Sequence, residues 1–218
     1  MTGIIPSGLF VFALLLGVAA CNSSDNQSRP TANNDAAGSP VTSRTSSHTS
    51  ASPDETNGMP KTSAGAASAP YDLQFIDTMS EHHSSAITMA KIAVEKAQYP
   101  ELKAFARKVI AAQQKENEQM KSWRAGWYKE SPPALNMELP GMEGSMMGME
   151  GLQGATGREF DLMFIEMMMP HHAGAVTMAK DAASRAEHSE IKNLAGKIIL
   201  DQQREIEQMR QWKAILAR

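Results

Sequence analysis

From residue 71 onward, apolar positions recur at spacings of three and four. Phe75, Ile76, Met79, His83, Ala86, Ala90 and Ala97 fall on one stripe and predict a long helix. Pro100 and Glu101 then open a second helix, with proline in the first turn and an acid near the positive end of the dipole. Its stripe is Leu102, Ala106, Val109, Ile110, Gln113, Glu116, Met120 and Trp123. Both patterns return at a constant offset of 89 residues. YDLQFIDTMSEHHSSAITMAKIA (71–93) aligns with FDLMFIEMMMPHHAGAVTMAKDA (160–182), and KVIAAQQKENEQMKSW (108–123) with KIILDQQREIEQMRQW (197–212). About 27 of 57 aligned positions are identical, which marks an internal duplication. Thr156-Gly-Arg-Glu159 has the form of a capping box opening the second repeat. Short connections at 98–100 and 187–189 predict antiparallel hairpins. Two hairpins with one apolar stripe each bury it by packing together, so the expected fold is all-α, a four-helix bundle.

Hairpin arithmetic places particular side chains opposite one another. With a turn centred near residue 99 or 100, His83 is level with Glu116 and Met79 with Met120; in the second repeat His172 faces Glu205 and Met168 faces Met209. Gln113 with Glu116, repeated as Gln202 with Glu205, puts polar groups on otherwise apolar faces. A buried carboxylate is expensive unless paired or metal-bound. A histidine bonded to Glu116 would satisfy both groups without metal, and methionine is an ordinary core filler, so structural and binding readings both stand here. Adjacent histidines lie about 100° apart around a helix and do not readily chelate one ion together. One of each pair is expected at the bundle axis and the other towards a neighbouring helix or rim. Pro170 sits inside the helical pattern and predicts a kink just before His171.

The connection, residues 128–158, contains NMELPGMEGSMMGMEG (136–151). Its Gly and Pro residues predict a loop in which Met137, Met142, Met146, Met147 and Met149 cannot all be core. Clustered thioethers suit a soft ion, Cu(I) or Ag(I), and Glu138, Glu143 and Glu150 add negative charge. Both ends of this loop are expected at the end of the bundle that carries the histidine pairs.

The N-terminal part changes the cellular setting. Residues 4–20 form an apolar run ending in small residues, short for a membrane span and shaped like a secretory signal. Val18 to Cys21 reads VAAC, similar to a bacterial lipobox, and predicts lipidation of Cys21, the single cysteine. Residues 1–20 are then a signal peptide and 21–70 a disordered Ser/Thr/Ala-rich tether. The duplicated domain spans 71–218: repeat one 71–127, connection 128–158, repeat two 159–218. A net charge of −3 and a pI near 6.1 give no polybasic signature and exclude nucleic acid as a partner. Asn22 after the cysteine favours an outer-membrane anchor if the cell is diderm; the expected location is the periplasm or envelope.

The stretch FDLMFIEMMMPHHAGAVTMA resembles the signature of the bacterial domain-of-unknown-function family 305, (M)xPHHxGAxxMA. The first copy departs from it, with Glu81 for the proline and Ser85 for the glycine. The resemblance covers about residues 71–217 and implies a ferritin-like four-helix bundle. That family includes extracytoplasmic copper-binding proteins with methionine and histidine ligands. It therefore implies copper as cofactor, and Met79, His82, His83, Met89, Met168, His171, His172 and Met178 as metal residues. The expected function is copper binding without catalysis, for buffering, sequestration or delivery of Cu(I), with a copper donor or acceptor protein as partner. Competing readings are a di-metal redox enzyme of the ferritin type and a metal-free helical scaffold. The first needs Glu-x-x-His on two helices, whereas Glu81 directly precedes His82 and is replaced by Pro170 in the second repeat.

Overall fold

A computed structural model of the chain describes residues 60–143 and 149–218. The expected signal segment, Cys21, the tether up to residue 59, and Met146 and Met147 lie outside the described residues. Among the described residues there are five α-helices and no strand: α1 Tyr71–Lys96, α2 Pro100–Trp127, α3 Glu150–Gly154, α4 Gly157–Arg185 and α5 Ser189–Leu216. None of them is long and apolar enough to cross a membrane. The four long helices complement their dipoles, with Asp72, Glu101, Glu159 and Glu190 in first turns and Lys96, Arg124, Arg185 and Lys213 in last turns. Thr156 is the N-cap of α4, but its side chain makes no capping bond; the helix begins at Gly157 with φ +59°. Pro170 is exposed and lies inside α4 without ending it.

α1 packs on α2 and α4 on α5, and the hairpins join most closely through α1 and α4. Two buried aspartates set how they join. Asp161, at the start of α4, accepts the main-chain N–H of Gln98 at 2.9 Å and of Tyr99 at 2.8 Å, in the α1–α2 turn. Asp72, at the start of α1, accepts those of Glu187 and His188, each at 2.9 Å, in the α4–α5 turn. Each hairpin thus caps the turn of the other, supplying partners for N–H groups that a helix start leaves unpaired. The start of α4 therefore lies beside the end of α1, and the two helices run antiparallel.

This geometry corrects the expectation for the connection. Its first residues leave the end of α2 beside the start of α1, and its last reach α4 at the opposite end, so it travels the length of the bundle. On the way Asp77 accepts the Ala134 N–H at 2.8 Å, Thr78 Oγ1 accepts that of Asn136 at 2.9 Å, and the Asn136 amide donates to Gln74 at 2.8 Å. Gly141, at φ +95°, crosses α4 so closely that a Cβ there would sit 2.1 Å from the Gly174 carbonyl oxygen. Gly174 is the position at which the first repeat carries Ser85. Residues 60–70, expected in the tether, are also folded onto the domain: Ala66 is buried, and Ser63 N–H donates to Leu135 O at 2.8 Å.

The core has two apolar clusters. One combines the C-terminal half of α1 with the starts of α2 and α4, and includes Met89, Met168 and Met209. The other combines the start of α1 with the C-terminal half of α4 and the start of α5, and includes Met79, Met120 and Met178. Mid-helix, a belt of buried polar side chains lies between them: His82 and His83 on α1, Gln113 and Glu116 on α2, His171 and His172 on α4, and Gln202 on α5.

Candidate metal centre

Adjacent histidines on α1 and α4 divide their roles. His83 Nε2 lies 2.9 Å from Glu116 Oε2, and His172 Nε2 lies 2.8 Å from Glu205 Oε2. Both pairings join level positions of one hairpin, as the turn arithmetic requires. With Nε2–H donating to the carboxylate, a neutral ring leaves Nδ1 as a lone pair, and in both residues that atom is buried without a hydrogen-bond partner. Glu116 also accepts from the Lys197 ammonium at 2.7 Å. Burial pushes the Glu116 carboxyl up, but the bonds and charges of His83 and Lys197 outweigh it and hold the group below the usual carboxylate range.

His82 and His171 turn the other way and meet each other. Their ring centroids are 3.8 Å apart at an interplanar angle of 42°. Both residues are buried, and all their ring nitrogens lack a well-formed hydrogen bond. Leaving a buried polar atom unpaired costs roughly 1–3 kcal/mol, so this is an expensive arrangement for a metal-free core. Burial, then the positive potential of His83 and His172, pushes the His82 imidazolium well below the ordinary range; a main-chain contact from His171 opposes this weakly. His171 is pushed the same way by burial first and by the other three histidines next. Both rings are therefore neutral at physiological pH and keep a lone pair for a metal.

Thioethers flank this belt on either side: Met79, Met120 and Met178 in one cluster, Met89, Met168 and Met209 in the other. Neutral imidazoles and thioethers form a donor set that fits a soft, low-charge ion such as Cu(I) or Ag(I). Among the described residues, no three His, Asp or Glu side chains group as ligands for one ion.

The described methionines of the connection differ in burial. Met142 is 2% exposed and belongs to the same cluster as Met79, Met120 and Met178. Met137 and Met149 are half-buried against the two clusters. Met142 takes a packing role because the connection is laid along the bundle instead of projecting from it, while Met146 and Met147 lie outside the described residues. Two further groups at the belt fell outside the sequence reading. Lys197 bridges α5 to Glu116, and Asp201 lies 3.0 Å from the same ammonium. Their i, i+4 spacing was the available signal.

A family model described as "Domain of unknown function (DUF305)" matches residues 72–213. Among solved structures, CopM in its Cu(II)-bound form is 39% identical with a TM-score of 0.59, over 67% of this chain and 98% of that one. CopM in its Cu(I)-bound form is also 39% identical, TM-score 0.57, over 65% and 94%. The putative secreted DUF305 protein of Streptomyces coelicolor is 26% identical, TM-score 0.59, over 68% and 94%. Of curated proteins, the uncharacterized protein L153 of Acanthamoeba polyphaga mimivirus is 43% identical over 49 residues, which is 22% of this chain and 32% of that protein. The match thus spans about a third of that relative's length. A family match across all four long helices, together with the shared helical bundle, places the chain in the DUF305 family.

Proposed function

We propose that this protein is an extracytoplasmic copper-binding protein that buffers, sequesters or delivers Cu(I) and does not itself catalyse a reaction. One observation carries the proposal: His82 and His171 face each other in the core with no well-formed hydrogen bond to satisfy them. A bound cation would repay the desolvation of these rings. The flanking thioethers would add soft donors, and His83 and His172, oriented by Glu116 and Glu205, a further ring nitrogen each. Solved forms of CopM hold Cu(II), Cu(I) or silver, which supports copper or silver as the ion here. The VAAC segment supports a lipid anchor at Cys21 in the bacterial envelope, where a donor or acceptor protein would exchange copper with it.

Anaerobic Cu(I) titration of the purified protein against a competing chelator tests this reading. Copper is expected to be withdrawn from the chelator, with loss of at least tenfold in affinity when His82 and His171 are both replaced by leucine. Binding equally tight in the double variant would remove the histidine pair from the site. A wild type that leaves the chelator loaded would favour a metal-free scaffold.

A further inference from the structure

The belt borders a cavity near the surface between α2 and α5. α2 and α5 approach each other less closely than α1 and α4 do, and a small cavity of ≈ 20 Å³ lies in the seam between them. That is room for about one water-sized particle. Its polar walls are Gln113, Glu116, Asp201, Gln202 and Glu205. Gln113 and Gln202 are 3% and 4% exposed, and the side-chain carbonyl oxygen of each has no hydrogen-bond partner. Two buried acceptors and three carboxylates therefore line the cavity. At the same seam the Lys197 ammonium bridges Glu116 at 2.7 Å and Asp201 at 3.0 Å while its side chain is 55% exposed. Asp201 is shared with Arg204, at 3.6 Å. The offset of 89 relates Lys197 to Lys108 and Asp201 to Ala112, so only the second repeat has an anion stationed to hold the lysine there.

We propose that this seam is a cation vestibule: Glu116, Glu205, Gln113 and Gln202 hold a partly dehydrated Cu(I) or Ag(I) ion on its way to the histidine belt, and Lys197 is a latch that the ion displaces. The inference rests on the copper-binding reading and adds the route and its control. Oxygen donors attract a cation but bind a soft one weakly, so transfer onward to imidazole and thioether is downhill. The vestibule wall is joined to the belt directly, since Glu116 and Glu205 hold His83 and His172. The ammonium half of the pair is 55% exposed, so water can solvate it once it is displaced, as a latch requires.

The test is anaerobic stopped-flow mixing of the full chain with Ag(I), followed by tryptophan emission. Trp212 packs on Phe105 at 5.4 Å, and Phe105 lies 6.5 Å from the His172 ring, so loading of the belt is expected to be visible there. Removing the ammonium with Lys197→Gln is expected to speed uptake about threefold or more. Replacing both amides, Gln113→Leu with Gln202→Leu, is expected to slow uptake and release together, because a lost way-station raises the barrier in both directions. Uptake at the wild-type rate in Lys197→Gln, where the native side chain is 55% exposed, would overturn the latch and its route. Faster release without slower uptake in the double variant would make the glutamines resting ligands and overturn the vestibule. A wild type that binds no Ag(I) at equilibrium would overturn the copper reading itself.

Discussion

Two regions of this bundle bury polar groups, and they do so in opposite ways. At the ends, Asp72 and Asp161 are each 1% exposed, and each accepts at least two main-chain N–H groups from the turn it caps. Asp72 has a third donor, His188 Nδ1 at 2.7 Å, from a ring stacked on Trp127 at 3.8 Å. Tyr99 replaces that histidine at the other end, packing edge-on to Trp212, and the main-chain clasp persists without it. In the middle, His82, His171, Gln113 and Gln202 are equally buried and keep unpartnered atoms. The contrast separates two kinds of buried polarity: the clasps define how the hairpins fit, while the belt keeps polar atoms unpaired at a cost in stability, as the proposed ion site requires.

Breaking a clasp should give the largest effect. Asp161→Ala leaves the Gln98 and Tyr99 N–H groups without their acceptor and is expected to cost about 3 kcal/mol. Chemical denaturation would show it as a lower midpoint; an unchanged midpoint would mean the clasp is not structural.

Acid should weaken the belt next. His82 and His171 take up protons less readily folded than unfolded, so stability is full above their ordinary value of 6.5 and is lost as pH falls below it. Glu116, lowered from 4.5, adds a second loss in the same direction as pH falls below that value. Thermal melts of the metal-free protein from pH 7.5 to 4 should therefore shift steadily downward, and a flat profile between pH 7 and 5 would contradict the account of the histidines.

Emptying the belt should cost least. Without metal, His82→Leu with His171→Leu is expected to be within about 1 kcal/mol of wild type or more stable, because four unpaired nitrogens leave the core. The variant should also lose the upper part of the acid transition. A large loss of stability in the same melts would show that the pair is structural and erase the distinction from the clasps.

The helices were legible because their stripes keep a spacing of three and four over many turns, and the bundle followed from short turns. His83–Glu116 and His172–Glu205 were legible too, since a tight hairpin fixes which residues are level. The direction of α4 relative to α1 was not, because a connection of 128–158 reaches either end of a bundle. That missing fact hid the crossed clasps and the burial of Met142, which depends on Gly141 lying against Gly174. It also hid which histidine of each pair faces the other hairpin: adjacent positions 100° apart give two faces and no ranking between them.

The central claim is that the ion is held at the His82–His171 pair. X-ray absorption at the copper edge of the Cu(I)-loaded protein, with and without the His82→Leu and His171→Leu changes, tests it most directly. Mixed imidazole and thioether ligation is expected in the wild type, with the imidazole signal reduced or absent in the double variant. The same imidazole signal in both proteins would place the copper elsewhere and contradict the account.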